Sequence, residues 1–392
     1  MREMFLLKQE IAKKLRTDLI YTNPHILENG PIIGMGYRPP WILGNIIQAQ
    51  VAKGLGLKVM LAQQSAREIK RAKRTFQDVV DSATIAAFIA DLRIPWGADA
   101  DHLKEKEEIE NAAKAGFTHF TYDISDEINK CVKRVSNRIS QLYFFTQELK
   151  GKGNFTTEVS LDEADKLIDL RDLLFLLEEL EMKKVHIDEV APRFPGFFEK
   201  GVDYYWKNDN GIKNRNTKLF EEYLSEVFKI GQKYGFRISI HSGSDKYSIY
   251  PIISKVTKGN FHLKTAGTYY LEELKVIAKY DPDLFREIYH FSLTQFQNDR
   301  VTYEMSTDLI NIPDISNLNN IGIMDLLDSS SGNENLRQML HVTYGSVLTA
   351  ETEEGSLRFA DRCLAILQKE YDAYFDTLYS HIKKHLDKLM IK

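Results

Sequence analysis

The chain has 392 residues, of which 43% are hydrophobic and 28% are charged, and its formal net charge is −4. This composition is typical of a soluble globular protein and argues against a disordered or fibrous chain. The weak negative charge argues against a nucleic-acid partner, and the apolar runs fall short of the roughly 20 residues that span a membrane. Charges interrupt the first ten residues, so we expect no secretion signal and a cytoplasmic protein.

Eight short apolar runs recur along the chain, each followed by a segment of helical periodicity. The predicted strands are 32–34, 58–61, 97–102, 117–123, 155–160, 185–188, 238–241 and 261–264. The predicted helices are 41–53, 75–90, 104–115, 127–149, 161–181, 217–234, 247–255 and 271–280. Strands that alternate with helices form parallel βαβ units, and eight such units can close into a barrel. The sequence therefore predicts an α/β fold, a TIM (β/α)8 barrel over roughly residues 30–282.

The pattern beyond the eighth unit is helical only. A helix is predicted over 283–296, a polar loop over 311–320, and a long amphipathic helix over 357–390, whose apolar residues recur at threes, fours and sevens. We expect this C-terminal helical extension, 283–392, to pack against the outer ring of the barrel within a single domain. A helix that forms a dimer is the alternative, so a homo-oligomer stays open.

Polar residues gather where the predicted strands end, which is where α/β barrels build their active sites. His102, His241 and His262 fall at the ends of the third, seventh and eighth strands. A lone histidine there is more often a packing residue, but three at one mouth favour a divalent metal cation, such as Zn, Mn, Co, Ni or Fe. The histidines interpreted as core, packing or solvated residues include His119, His186, His381 and His385.

Carboxylates accompany these histidines. Asp99 and Asp101 share one face of the third strand by the period of two, which leaves His102 on the other face unless the strand ends there. Glu158 lies in an unusually polar strand that would be costly to bury without partners. A working site explains Glu158 better than a core does, although a buried and fully paired glutamate is the alternative. Two carboxylates near a metal permit acid–base exchange on opposite faces of a substrate.

Two turns of small residues, 242–244 and 265–268, follow the seventh and eighth strands. Their backbone N–H groups are suited to an anion, either a phosphate or a carboxylate. Lysines beside them supply positive charge or are plain solvated lysines, and amides at the end of the second strand suit sugar hydroxyls. The candidate substrate-binding residues on these grounds are Gln63, Gln64, Arg193, Ser242, Lys246 and Lys264.

Six stretches of the chain resemble the tagaturonate epimerase family, bacterial enzymes that interconvert tagaturonate and fructuronate in hexuronate catabolism. The stretches are 61–68, 97–104, 158–163, 241–246, 261–268 and 341–346. The resemblance runs from about the second strand to the C terminus and implies an isomerase that acts on a sugar acid. It also implies a divalent metal on His102, His241 and His262, with Asp101 and Glu158 as the proton acceptor and donor.

The loop after the first strand departs from the family's pattern. The family reads Gly-x-Gly-Asp-Arg-Leu-Gly, whereas residues 34–40 of this chain read Gly-Met-Gly-Tyr-Arg-Pro-Pro. Arg38 keeps a cation for an acidic substrate, while the loss of the aspartate and the two prolines reshape the loop. We therefore expect tagaturonate itself or a closely related keto sugar.

The implied reaction changes a hydroxyl-bearing carbon two atoms from the ketone, where the C–H bond is not acidified by the carbonyl. Retro-aldol cleavage is the easier route: a base removes the hydroxyl proton, the adjacent carbon–carbon bond breaks, and a metal stabilises the enediolate as a Lewis acid. The aldehyde half then turns and is attacked on its other face. A transient oxidation gives the same product. A metal-dependent sugar aldolase or ketose isomerase on the same barrel is the alternative function.

Overall fold

Eight parallel strands close into a barrel in a computed structural model that describes residues 2–28, 30–128, 131–208 and 210–389. The strands are β1 (Ile32–Gly34), β2 (Val59–Ser65), β3 (Gly97–Leu103), β4 (His119–Asp123), β5 (Thr156–Ser160), β6 (Glu189–Ala191), β7 (Trp206–Lys207), β8 (Lys213–Asn214), β9 (Arg237–Ile240) and β10 (Phe261–Lys264). β7 and β8 form a separate antiparallel hairpin. The other eight follow one another around the ring, which closes where β1 pairs with both β2 and β10. The predicted TIM barrel is confirmed.

Helices surround the barrel and continue beyond it. They are α1 (Arg2–Asp18), α2 (Leu43–Leu55), α3 (Ala66–Arg71), α4 (Phe76–Ala90), α5 (Lys106–Ala115), α6 (Val132–Lys150), α7 (Leu170–Met182), α8 (Lys218–Tyr234), α9 (Tyr250–Thr257), α10 (Tyr269–Tyr280), α11 (Pro282–Asp299), α12 (Asn320–Leu326), α13 (Glu334–Val342), α14 (Tyr344–Thr349), α15 (Ala360–Lys369) and α16 (Tyr371–Leu389). Local chemistry sets several ends: Ser65 and Glu68 form a capping box at α3, and left-handed Gly116 ends α5. Among the described residues, no helix is both long enough and apolar enough to cross a membrane.

The last C-terminal helix packs against the outer helices of the barrel. The segment predicted as one helix over 357–390 is divided into α15 and α16, and Met390 lies outside the described residues. α16 packs on α2, α9 and α10. Its buried His385 lies 3.2 Å from Oδ1 of Asp245, and Arg337 donates to the other oxygen, Oδ2, at 2.6 Å. The terminal helix therefore holds the loop that follows β9.

The sixth strand begins later than the sequence predicts. The N–H of Val185 donates to the carbonyl of Leu180, so the apolar run 185–188 lies in the connection that follows the end of α7 at Met182. Pairing with β5 starts where Asp188 N–H donates to the carbonyl of Thr157 at 3.0 Å. The helical prediction 161–181 is also too long, because Asp169 caps α7 and residues 161–169 form a loop. These two corrections bring Glu189 into the barrel and leave the 161–169 loop near its mouth.

Candidate active site

Two connected cavities lie at the C-terminal ends of the strands, with volumes of about 240 Å³ and about 50 Å³. Lys200, His241, Ser242 and Tyr303 line both cavities. The smaller cavity reaches the strand ends and is also lined by Arg38, Gln63, Glu68, Asp101, His102, Lys264 and His341. Most of the predicted site residues therefore face one mouth, as expected for a barrel enzyme.

A bulge in β3 brings Asp101 and His102 to this mouth together. The register between β3 and β4 shifts between Ala100 and Leu103, and His102 has a left-handed φ of 53°. A bulge breaks the strict alternation of side chains between the two faces of a strand. Both residues can then line the cavity, which resolves the question of where His102 points. A positive φ in a residue other than glycine is uncommon and is enriched at functional sites.

His102 and His241 face each other across the cavity, with ring centroids 4.9 Å apart. With Asp101 they form a set whose potential ligand atoms all lie within 4.8 Å of one another. Each imidazole has a carboxylate behind it: His102 Nδ1 lies 3.5 Å from Asp123 Oδ2, and His241 Nδ1 lies 3.0 Å from Asp162 Oδ1. A carboxylate behind an imidazole orients its ring and increases its basicity, as in many metal sites.

The charges around these two imidazoles alter their protonation. Burial lowers the pKa of His102, but the carboxylates of Asp101 and Asp162 outweigh it and raise that pKa to about 9. The same competition, with Asp162 as the largest favourable charge, raises the pKa of His241 well above its usual range. The surrounding carboxylates therefore favour the protonated form of both rings.

A second set of potential ligands lies beside the first and contains His262. Its members are His119, Glu158, Glu189 and His262, whose ligand atoms lie within 4.8 Å of one another. Glu158 links the two sets, because one of its oxygens contacts His241 Nε2 while the other lies 3.4 Å from His119 Nε2. The structure thus places two of the three predicted metal ligands in one set and His262 in the adjoining one.

His262 is oriented by a chain of buried charges. Its Nδ1 lies 2.8 Å from Glu189 Oε2, and Glu189 Oε1 accepts from Arg237 at 3.0 Å and 2.9 Å. Arg237 also donates to the carbonyl groups of Gly30 and Leu27. If Nδ1 carries the proton, His262 Nε2 has a free lone pair. That atom is buried and has no hydrogen-bond partner among the described residues. Such a nitrogen suits a metal ligand.

Lys264 joins the two carboxylates that were predicted to move protons. Its ammonium nitrogen lies 2.7 Å from Asp101, 3.2 Å from Glu158 and 2.9 Å from Asp99. Burial alone would raise the pKa values of Asp101 and Glu158. The His102 and Lys264 charges instead lower the pKa of Asp101, and Lys264 and His241 hold the pKa of Glu158 well below its usual range. Both carboxylates are therefore ionised before substrate binds.

The two amides at the end of β2 point in opposite directions. Gln63 lines the smaller cavity, whereas the Gln64 amide oxygen accepts from Arg74 at 3.3 Å, away from that cavity. The loop after β1 passes close over Gln63, and a Cβ at Gly36 would lie 1.6 Å from the Gln63 carbonyl oxygen. Only glycine fits there. The loop that carries Arg38 is therefore fixed against β2.

Arg38 lines the smaller cavity, but its charge is already balanced. Its Nε donates to Glu68 at 2.9 Å, its Nη2 contacts the same oxygen, and its Nη1 donates to the carbonyl of Gly267 at 3.1 Å. Arg38 also lies 3.3 Å from His341 Nε2. Burial and then the Arg38 charge hold the pKa of His341 well below its usual range, so this imidazole is neutral.

The remaining predicted substrate ligands lie in different surroundings. Lys246 is buried and donates to three main-chain carbonyl groups at 2.6 to 3.2 Å, and it does not line either cavity. Arg193 lines the larger cavity and lies 3.1 Å from Glu304. Ser242 lines both cavities, and its hydroxyl oxygen accepts from Lys200 at 2.6 Å. Sequence reasoning missed Lys200 and Glu189, because no local motif marks them, and it assigned no role to Glu68, which lies in the stretch 61–68.

The two turns of small residues use part of their backbone donors internally. Gly243 N–H donates to the carbonyl of Lys264 at 3.0 Å, and Thr265 N–H donates to the carbonyl of Gly34 at 2.9 Å. Those two donors serve to join neighbouring strand ends. The anion expected at these turns stays a prediction.

Comparison with known proteins identifies the family of this chain. Residues 2–150 and 138–389 match the profile of tagaturonate epimerase. The chain belongs to the tagaturonate epimerase family. It is 35% identical over 385 residues to the tagaturonate/fructuronate epimerase of Thermotoga maritima, covering 86% of this chain and 76% of that protein. The resemblance drawn from the sequence is thereby confirmed.

The fold also matches the solved structures of an epimerase of this family. The crystal structure of the fructuronate-tagaturonate epimerase of Cohnella laeviribosi, complexed with one glycerol, superposes with a TM-score of 0.87 at 30% identity. The match covers 98% of this chain and 86% of that one. A probable tagatose 6 phosphate kinase from Sinorhizobium meliloti, with a TM-score of 0.52 and 12% identity, shares the fold alone.

Proposed function

We propose that this protein is an epimerase that interconverts tagaturonate and fructuronate, or a closely related keto sugar acid, with the help of a divalent metal cation. Family membership supports the reaction class. The observation that carries the chemistry is the contact of Lys264 with both Asp101 and Glu158, two ionised carboxylates beside a group of imidazoles. These groups lie at or directly beneath the smaller cavity, and the adjoining cavity of about 240 Å³ offers the larger space for a sugar acid.

The donor set fits a divalent transition metal. His102 and His241 face each other at the mouth, and His262, whose Nε2 has no hydrogen-bond partner among the described residues, belongs to the adjoining set that Glu158 links to His241. Imidazole and carboxylate ligands suit Zn, Mn, Co, Ni or Fe. When bound, such a cation supplies Lewis-acid stabilisation of negative charge on the substrate oxygens. We propose His102, His241 and His262 as its ligands.

The carboxylates account for the proton transfers of a retro-aldol epimerisation. Asp101 or Glu158 accepts the proton of the hydroxyl group, and the neighbouring carbon–carbon bond breaks to give an aldehyde and an enediolate. The aldehyde half turns, the bond forms again on its other face, and a carboxylic acid returns a proton to the new alkoxide. Because both groups are ionised at rest, each becomes a donor only after it has accepted a proton. Lys264 favours the charged form of whichever carboxylate has not yet reacted.

Isotopic labelling tests this route. Tagaturonate that carries deuterium at the epimerising carbon is incubated with the protein in ordinary water, and the products are followed by NMR. Retro-aldol chemistry retains the deuterium in fructuronate and shows no primary isotope effect. Loss of the label would indicate proton abstraction at that carbon. A large isotope effect with retention would indicate transient oxidation, and either result would overturn the retro-aldol step.

A further inference from the structure

Lys200 differs from the other lysine and arginine residues of the cavity because it has no carboxylate partner. The others form pairs: Arg38 with Glu68, Arg67 with Glu163, Arg193 with Glu304, and Lys264 with Asp99, Asp101 and Glu158. No carboxylate oxygen lies within 4.0 Å of the Lys200 ammonium in the part of the chain that the structure describes. Its hydrogen bond goes to the neutral hydroxyl of Ser242 at 2.6 Å.

Lys200, which forms no ion pair with a described carboxylate, also lies where a ligand could reach it. It lines both cavities, so its side chain lies where the larger cavity meets the strand ends. Burial, followed by the nearby charge of Arg67, lowers the pKa of Lys200. The carboxylates of Glu163, Glu68 and Asp162 oppose this shift, although none of them forms an ion pair with the half-buried ammonium. A carboxylate on a ligand in the cavity would give Lys200 an opposite charge in direct contact.

The backbone around Lys200 is held in place. The buried ammonium of Lys246 donates to the carbonyl groups of Glu199 at 2.8 Å and Val202 at 2.6 Å, on both sides of Lys200. Lys246 therefore fixes the segment that presents Lys200, although it does not line the cavities itself. A cation on a fixed segment can orient a ligand by a charge-assisted hydrogen bond.

We propose that Lys200 binds the carboxylate of the sugar acid, with Ser242 beside it. The assignment rests on the proposed function, since it names the residue that recognises the acid group of that substrate. It places the carboxylate at the junction of the two cavities, with the reacting carbons directed towards Asp101, His241 and Lys264. Arg38, which the sequence suggested for this task, is left to shape the loop after β1, because Glu68 already neutralises it.

Paired ligands test the assignment without requiring turnover. A six-carbon aldonate and the hexitol of the same configuration differ by one carboxylate, and their affinities are measured by isothermal titration calorimetry on the metal-loaded protein. Lys200→Met should weaken the aldonate by about 10- to 100-fold, the range expected for one charge-assisted hydrogen bond, with little effect on the hexitol. Lys200→Arg keeps the charge and should retain most of the preference. Lys229→Met removes an exposed charge of the same sign on α8 and is the matched control.

Two results would overturn the assignment. One is a preference for the aldonate that survives in Lys200→Met, and the other is an equal loss of both ligands, which would place Lys200 on a hydroxyl or the ketone. Circular dichroism and thermal unfolding show whether each variant folds, and Lys200→Gln replaces Lys200→Met if the latter does not. Turnover of tagaturonate by the unmodified protein is measured separately. Absence of that turnover would reject the proposed function, whereas normal turnover with an unchanged preference would reject Lys200 alone.

Discussion

Replacing Glu189 with glutamine tests how the interior of the barrel prepares His262. Both oxygens of Glu189 are used, Oε1 by Arg237 at 3.0 Å and 2.9 Å and Oε2 by His262 Nδ1 at 2.8 Å. Glutamine keeps one acceptor oxygen and turns the other into an NH2 donor. With the oxygen held by Arg237, the NH2 group faces His262 Nδ1 and shifts the imidazole proton to Nε2. The lone pair proposed for the metal is then lost.

Glu189→Gln should have two separate effects, a loss of folding free energy and a loss of metal affinity. Glu189→Gln leaves the buried Arg237 without its counter-charge, and breaking a buried ion pair in this way costs about 3 to 5 kcal/mol of folding free energy. Since native proteins have about 5 to 15 kcal/mol in total, we expect a folded but less stable variant. Loss of the carboxylate behind a metal-ligating histidine lowers metal affinity by about 10- to 100-fold.

Guanidinium chloride unfolding measures the first effect, and competition for Co²⁺ or Zn²⁺ with a coloured chelator measures the second. Arg237→Met is the matched control, because it breaks the same ion pair but leaves Glu189 on His262. It should lower stability by a similar amount and metal affinity much less. A Glu189→Gln variant with unchanged metal affinity, or with a stability loss below about 1 kcal/mol, would refute this reasoning.

Two further predictions concern proton transfer and pH. Glu158→Gln and Asp101→Asn should each retain metal but lose about two to four powers of ten in kcat, which is the usual contribution of a general acid–base group. Near-normal turnover in either variant would assign that residue a structural role. Burial raises the pKa of Glu273 from its ordinary 4.5 to about 8, against hydrogen bonds from Tyr37 and Tyr374 that lower it. The raised pKa of Glu273 stabilises the folded protein fully below about pH 4.5, and this contribution is lost as the pH rises towards 8. Glutamine stays neutral throughout. The free energy of unfolding of Glu273→Gln should therefore rise relative to that of the unmodified protein by about 1.4 kcal/mol per pH unit in that window. Denaturant unfolding at several pH values measures the difference, and parallel stability curves would contradict it.

Several strands could be predicted because their hydrophobic runs end in polar residues at the mouth of the barrel. β1 and β10 occupy the predicted residues, and β9 is displaced by one residue. β6 was misplaced because its short strand carries an inward glutamate, while the apolar run before it lies in the connection after α7. Hydrophobic periodicity favours the apolar run over a strand that buries a paired charge.

The site was harder to predict than the barrel, since its geometry depends on contacts between distant segments. A period of two could not decide the face of His102, because the bulge in β3 changes the alternation. The sequence alone could not favour Lys200 over Arg38 as the residue that binds the substrate carboxylate. The choice depends on which of the two side chains already forms an ion pair with a carboxylate of the protein. That partner, Glu68, lies 30 residues from Arg38 along the chain.

Conversion of tagaturonate by chelator-treated protein, before and after the return of one divalent metal at a time, tests the central claim most directly. NMR follows the appearance of fructuronate, and metal analysis of the same samples gives the occupancy of the site. We predict no conversion without metal and epimerisation that rises with occupancy to one cation per chain. Full activity in the metal-free protein, or release of three-carbon fragments in place of fructuronate, would contradict the proposed function.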